Sequence, residues 1–588
     1  MNPKEWTTVD LEVPSFGNLS GLCFDDQVCQ YMGVPYATIP GRFRRSQAVK
    51  GPWPEEKWDG TKLGPFPSQP PRDFYPIPSP LRPWVENPST SSTECLSLNI
   101  SVPSKPTVSA GKPLYPVMVF MHGGAFVYAA GGAAIYDGRA LADISNSVKE
   151  PTIIISVNFR LGVFGFLASK EIREYNLEFG EEGVGNYGLW DQVQALRWIQ
   201  QHIRAFGGDP ARVTLFGQSA GGGVHGPLQL LRCLVVDHNF QVSANIHLLR
   251  DEPLFSSTII QSGLLPLCGV LSAEQYQGIY EKLLSVLQIP ADLPPRERLQ
   301  RLIDIDENKL TAAMIPVSVI PVITFSPCDD GYLIKQPMPK YSDYANFKPP
   351  SWCERIMIGD VKHECVIWNK SFRAMDTEAF IKRIKSFLGS DSKAEKLISA
   401  YNISSTSDRD ENFWKIENFT TDGLFTAVNW SLIRSYPSVY AYHFDVPSPF
   451  DNDWAGLAHH SLDNVYVWSL LRDHLPPSHR KISAEMSSMW LKFANGKEPW
   501  ERFDKSGKFM IFQEDQCVLK TVEEDKARGY KIWEEIERDG LLDDFHHISE
   551  ELCMRWEEIT DANKKPEALI VGDFEEYGIK RRTKAAWK

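Results

Sequence analysis

The sequence predicts an α/β fold, a large and mostly parallel central sheet flanked by helices. Three observations carry that expectation. Short β-branched runs alternate with longer stretches of helical periodicity, the pattern of βαβ units whose sheet is buried on both faces. A serine set between glycines, Gly217-Gln218-Ser219-Ala220-Gly221, directly follows the apolar run Val213-Thr214-Leu215-Phe216, as at a strand ending in a sharp turn. The chain has 588 residues with 43% hydrophobic and 12% aromatic content, enough for one large core.

From the N-terminus, the first distinctive element is the proline-dense segment Gly64 to Thr93, with pairs such as Pro70-Pro71. Locked φ angles and missing N–H groups exclude a helix or central strand there. A long, stiff surface loop is expected, of the kind that roofs enzyme sites. Candidate core strands follow at Val117–Phe120, Ile153–Val157, Val213–Phe216, Arg355–Ile358 and Tyr440–Phe444. Between the second and third, Leu189, Val193, Leu196, Ile199 and Ile203 recur at helical spacing, which predicts an amphipathic crossover helix over Leu189 to Phe206. After about Trp533 acidic and basic patches alternate, and a solvated helical tail is expected. One domain over 1–535 and a charged extension over 536–588 result.

Composition narrows the function classes. A formal net charge of −13 disfavours nucleic acid and anionic membranes, which call for a basic face. The opening Met1-Asn2-Pro3-Lys4-Glu5-Trp6 lacks the basic and apolar regions of a secretory leader, so a cytoplasmic location is expected. Tyr115 to Tyr136 contains no Asp, Glu, Lys or Arg, yet its Gly123-Gly124 and Gly131-Gly132 pairs suit a buried strand and loop better than a membrane span. Ten irregularly spaced cysteines without a C-x-x-C do not support a metal site, and the thiols are expected mostly reduced.

Chemistry concentrates at the glycine-flanked serine. A nucleophile elbow would hold Ser219 in a strained conformation and lift its hydroxyl out of the sheet. Upstream, the strand Val117–Phe120 runs into Met121-His122-Gly123-Gly124-Ala125-Phe126. Small residues there would let the N–H groups of Gly124 and Ala125 face a reacting carbonyl, with the N–H of Ala220 as a third donor. Each such donor contributes roughly 10²–10³ in rate. A tight structural turn is the plainer alternative, but the two motifs depend on each other geometrically.

With these residues the chain resembles the type-B carboxylesterase/lipase family, which includes the cholinesterases. Further matching segments include Glu94-Cys95-Leu96-Ser97-Leu98-Asn99, Val157-Asn158-Phe159-Arg160-Leu161-Gly162, Asn186 to Gln192, Phe206 to Pro210 and Gln261-Ser262-Gly263. They run in order from about Gly33 to Trp500. The resemblance implies the α/β-hydrolase fold, a serine carboxylic-ester hydrolase and a small-molecule ester substrate, with no cofactor and no metal. Oligomeric state stays open.

The resemblance also supplies the other catalytic candidates. Ile358-Gly359-Asp360-Val361-Lys362-His363-Glu364 is similar to the family's strand-end segment that carries the acid, which points to Glu364, with Asp360 as the rival. His459 and His460 are adjacent. Family histidines sit three residues before an acidic position and eight before a bulky apolar one, and counting back from Asp463 and Trp468 selects His460. The order Ser219, Glu364, His460 is that of the fold.

Three departures stand out. Gln218 replaces the glutamate that cholinesterases carry before the nucleophile, which argues against a choline-ester specialist. Ser68 occupies the position where the family has the disulfide partner of Cys95. Residues 223–241 intervene where the family passes directly from Gly222 to a segment like Val242-Ser243-Ala244. Their Pro227 would break the helix behind the nucleophile at a cost of ~3 kcal/mol. The interruption reads as a retained intron or gene-model error, with a genuine insertion as the alternative. Two other functions compete with ester hydrolysis. One is a non-catalytic interaction module, disfavoured because Ser219, Glu364 and His460 are all present. The other is a biosynthetic hydrolase or lactonase using the same residues, which fold and triad do not exclude.

Overall fold

The computed structural model describes residues 5–25, 27–71, 78, 86, 88–105, 113–220, 253–263, 270–317, 324–334, 349, 351–353, 355–368 and 377–554. Within them a twelve-strand path forms the centre: β1 Trp6–Val13, β2 Gly17–Phe24, β3 Val28–Pro35, β4 Ser97–Val102, β5 Tyr115–Met121, β6 Ile153–Val157, β7 Gly208–Gln218, β8 Ser257–Gln261, β9 Arg355–Val361, β10 Val439–Phe444, β11 Lys508–Phe512 and β12 Cys517–Thr521. Their order is β1-β2-β3-β4-β6-β5-β7-β8-β9-β10-β11-β12, and a short strand, Lys57–Asp59, pairs with β2 off this path. Strands β5 to β11 run parallel to one another. Antiparallel strands extend both edges.

Side chains alternate across this sheet and both faces are covered, which explains why the parallel strands are mostly apolar and buried along their inner lengths. Val117, Val119 and Met121 of β5 pack with Val193, Leu196 and Ile199 of the helix Tyr187–His202. Met118 and Phe120 point the other way, onto Leu141 of helix Arg139–Ser147 and Met486 and Trp490 of helix Pro477–Ala494. All five expected strands and the crossover helix are present, the helix closing with a 3-10 turn over Ile203–Phe206. The uncharged stretch from Tyr115 contributes strand β5 and a loop, and no described helix is long and apolar enough to cross a membrane.

Among the described residues the thiols are mostly free, as expected, with one exception. Cys23 and Cys29, opposite each other on β2 and β3, form a disulfide, while Cys95 is a free, buried thiol. The solvated tail expected beyond residue 535 is corrected over 536–554. Helix Leu542–Met554 buries Phe545, Ile548 and Leu552 in a core that also holds Phe419 and Leu424. Apolar residues at helical spacing were hidden among the acidic ones. Residues 555–588 lie outside the described residues. So does the interruption at 223–241, and part of the proline-dense segment 64–93.

The described part of that proline-dense segment is fastened at two points. Glu307, at the start of helix Glu307–Val317, accepts from the hydroxyl of Ser68, from the N–H of Ser92 at 3.0 Å and from the Ser92 hydroxyl at 2.6 Å. Gln69 pairs its carboxamide with the backbone of Ala129, accepting from the N–H at 2.8 Å and donating to the carbonyl at 2.9 Å.

Candidate active site

Strand β7 delivers Ser219 at its carboxyl end, the side where open α/β sheets bind ligands. Ser219 has φ 56°, a left-handed conformation that costs a non-glycine residue about 1–3 kcal/mol. Its N–H donates to the Gln261 carbonyl at the end of β8, at 3.0 Å. That bond ties the turn to the sheet.

The loop after β5 closes on the same turn. A Cβ at Gly123 would sit 2.7 Å from the Gln218 carbonyl oxygen and 3.0 Å from Ser219 Cβ, so glycine is what allows the two backbones to approach. Beyond it the chain turns through positive φ at Gly124 (101°), Ala125 (54°) and Phe126 (62°). Tyr128 and Val127 both donate their N–H to the Gly124 carbonyl, at 2.9 and 3.0 Å. Among the described residues, no acceptor meets the N–H groups of Gly124 and Ala125. Ala220, beside the serine, is buried in the apolar cluster that contains Phe126 and Trp190.

Glu364 lies three residues past the end of β9. The N–H of Val361 donates to its Oε1 at 2.8 Å, and His460 Nδ1 meets its Oε2 at 2.5 Å. Both side chains are buried. Asp360 has other partners, His443 Nδ1 at 2.6 Å and Asn429 Nδ2 at 3.0 Å. His459 points its Nδ1 to the carbonyl of His460 at 2.9 Å, and burial pushes it down to about 4. Of each competing pair, the structure joins Glu364 to His460.

Electrostatics in this pocket are governed by desolvation. Burial holds the His460 imidazole below its usual range, with the nearby Asp463 carboxylate opposing the shift. Burial likewise raises Glu364, the Val361 N–H opposing. An imidazole kept neutral is the form that accepts a proton. His460 Nε2 lies 3.0 Å from Gln218 Nε2. The ring nitrogens therefore meet Glu364 and Gln218, and Ser219 is not bonded to them in this state.

The model of the carboxylesterase family matches residues 7–533. This chain belongs to the carboxylesterase family. It is a carboxylesterase-type hydrolase of the α/β-hydrolase fold. Lipase 3 of Yarrowia lipolytica is 27% identical over 506 residues, 84% of this chain and 90% of the lipase. The para-nitrobenzyl esterase of Bacillus subtilis is 26% identical over 553 residues, covering 89% and 98% of the two chains. Among solved structures, the Geobacillus stearothermophilus carboxylesterase EST55 superposes with a TM-score of 0.66 at 25% identity, over 89% of this chain and 99% of that one.

Within this carboxylesterase, sequence reasoning overlooked how several side chains contribute. Gln218 registers in the sequence only as a departure, yet it contacts His460. Asp463 serves there only as a counting mark, yet Gln261 Nε2 donates to it at 2.8 Å and burial pushes it up to about 6. Trp368 and Phe425 flank the His460 ring, with ring centres 4.7 and 5.5 Å away. Gln218, Gln261 and Asp463 lie inside or beside the matching segments, where a signal existed. Phe425 belongs to a helical region with no motif to mark it.

Proposed function

We propose that this enzyme hydrolyses small-molecule carboxylic esters that are uncharged and fairly apolar, through an acyl-enzyme on Ser219. The observation that carries the reading is the Glu364–His460 bond, set at the carboxyl edge of the sheet beside a strained, glycine-flanked serine. His460 takes the Ser219 proton as Oγ attacks the ester carbonyl. Glu364 holds the ring with its Nδ1–H toward the carboxylate and stabilises the imidazolium that forms. The N–H groups of Gly124, Ala125 and Ala220 receive the oxyanion. Collapse expels the alcohol, which takes the proton from His460, and water then releases the acid by the reverse sequence.

Apolar selectivity is supported by the Trp368 and Phe425 rings beside His460. It is supported too by the carboxamide at position 218, which offers no negative charge to a cationic alcohol. Ser219→Ala is expected to abolish hydrolysis of para-nitrophenyl butyrate with an unchanged circular-dichroism spectrum, and a fluorophosphonate probe to label Ser219 of the natural chain. Full activity in the variant would overturn the assignment. A higher kcat/KM for a choline ester than for the butyrate would overturn the substrate class alone.

A further inference from the structure

Gln218 makes a contact that the acyl-enzyme mechanism does not use. Its side-chain Nε2 lies 3.0 Å from His460 Nε2, and both residues are buried, each at most 2% exposed. A carboxamide nitrogen only donates. The ring nitrogen opposite it must therefore be the unprotonated one, which places the imidazole proton on Nδ1, facing Glu364 at 2.5 Å. The two bonds specify one tautomer. They also commit the lone pair that has to receive the Ser219 proton.

We propose that Gln218 is a positioning residue that holds the resting His460 ring by donating to its Nε2 lone pair, and that this bond is exchanged for one from the Ser219 hydroxyl when an ester enters. The inference rests on the roles proposed for Ser219 and His460. No covalent change accompanies the exchange: one N–H···N bond is given up and one O–H···N bond is made, after which the serine proton follows the ordinary path to Nε2. The loop carrying Gly123 stands behind the Gln218 side chain, since a Cβ there would lie 3.1 Å from its Oε1. The carboxamide oxygen is thus confined by that loop.

The consequence is read in the pH profile. A hydrogen bond accepted at Nε2 favours neutral imidazole, so its removal lets His460 protonate at higher pH. The charged and titratable groups around the ring are Glu364 and Asp463, with His459 adjacent and Asp360 and Glu417 beyond Glu364. Neither Gln218→Met nor Gln218→Glu replaces any of these groups. Gln218→Met is expected to move the acid limb of kcat/KM upward through about a five-fold change in proton affinity, roughly 0.7 of a pH unit, the scale of one ordinary hydrogen bond. Gln218→Glu, nearly isosteric, puts an acceptor and a negative charge at Nε2 and is expected to move the limb further the same way.

A residue that merely filled space would change stability or rate and leave the limb in place. If either folded variant keeps the acid limb of the natural enzyme, the proposal is overturned. Should neither variant fold, the ¹⁵N shift of His460 Nε2 in the natural enzyme decides: a shift displaced from the free lone-pair value supports the bond, and a free value overturns it. An inactive natural enzyme that ignores the fluorophosphonate would instead remove the catalytic reading on which the proposal rests.

Discussion

Asp360 and Glu364 lie four residues apart in one strand-end segment, and their surroundings separate them completely. Asp360 is spent on His443 and Asn429, whereas Glu364 faces His460. Substituting the orienting acid leaves the geometry but spoils the tautomer. Glu364→Gln is therefore expected to lower kcat by roughly 10³–10⁴-fold, while Asp360→Asn should retain most of the activity and lose thermal stability. Steady-state kinetics with para-nitrophenyl butyrate and a melting curve for each variant check this. A Glu364→Gln enzyme within ten-fold of the natural rate would sink the assignment of the acid. The left-handed Ser219 was readable beforehand because a strand ending in G-x-S-x-G has few other ways to turn. Gln218's partner was not, because a contact across 242 positions leaves no trace in local spacing.

At the scale of elements, the loop after β5 and the described part of the proline-dense segment are tied together. Gln69 grips Ala129, itself at φ 76°, a few residues beyond the proposed oxyanion donors. Glu307 holds the other side through Ser68 and Ser92. Where the family resemblance implies a disulfide to Cys95, this chain has a free thiol and a carboxylate that gathers three donors. Charge-assisted bonds of this kind contribute about 1.5–3 kcal/mol each when only partly exposed to water. Glu307→Ala strands those donors, so limited proteolysis should cut the 64–93 segment faster while cleavage elsewhere is unchanged. An unaltered digestion pattern would refute the clamp. That the described part of the proline-dense segment holds no helix or regular strand was legible from the prolines. Its anchor was not, since Ser68 and Ser92 lie more than two hundred positions from Glu307.

For the whole molecule, the chain beyond the family match completes the core. Phe545 and Ile548 are fully buried and Leu552 is 1% exposed, each contributing roughly 1.5–3 kcal/mol on burial. Their sum is comparable with the total stability of a typical folded protein, about 5–15 kcal/mol. Truncation after Leu541 is accordingly expected to give an aggregating or markedly less stable protein, and denaturant unfolding beside the full chain measures the loss. Equal midpoints would show the helix to be dispensable.

The sequence by itself determined the parallel sheet, because strands buried on both faces are apolar over most of their length, and it determined the elbow, because its sharp turn needs small flanking residues. By order and resemblance it also put forward Ser219, Glu364 and His460 as catalytic candidates. Only the tertiary structure decided which carboxylate meets the histidine, that a carboxamide occupies the other ring nitrogen, and that the acidic C-terminal helix is core. Those outcomes depend on which side chains are brought within 3 Å of one another, and a hydrogen bond or a desolvated charge is set by that distance and not by separation along the chain.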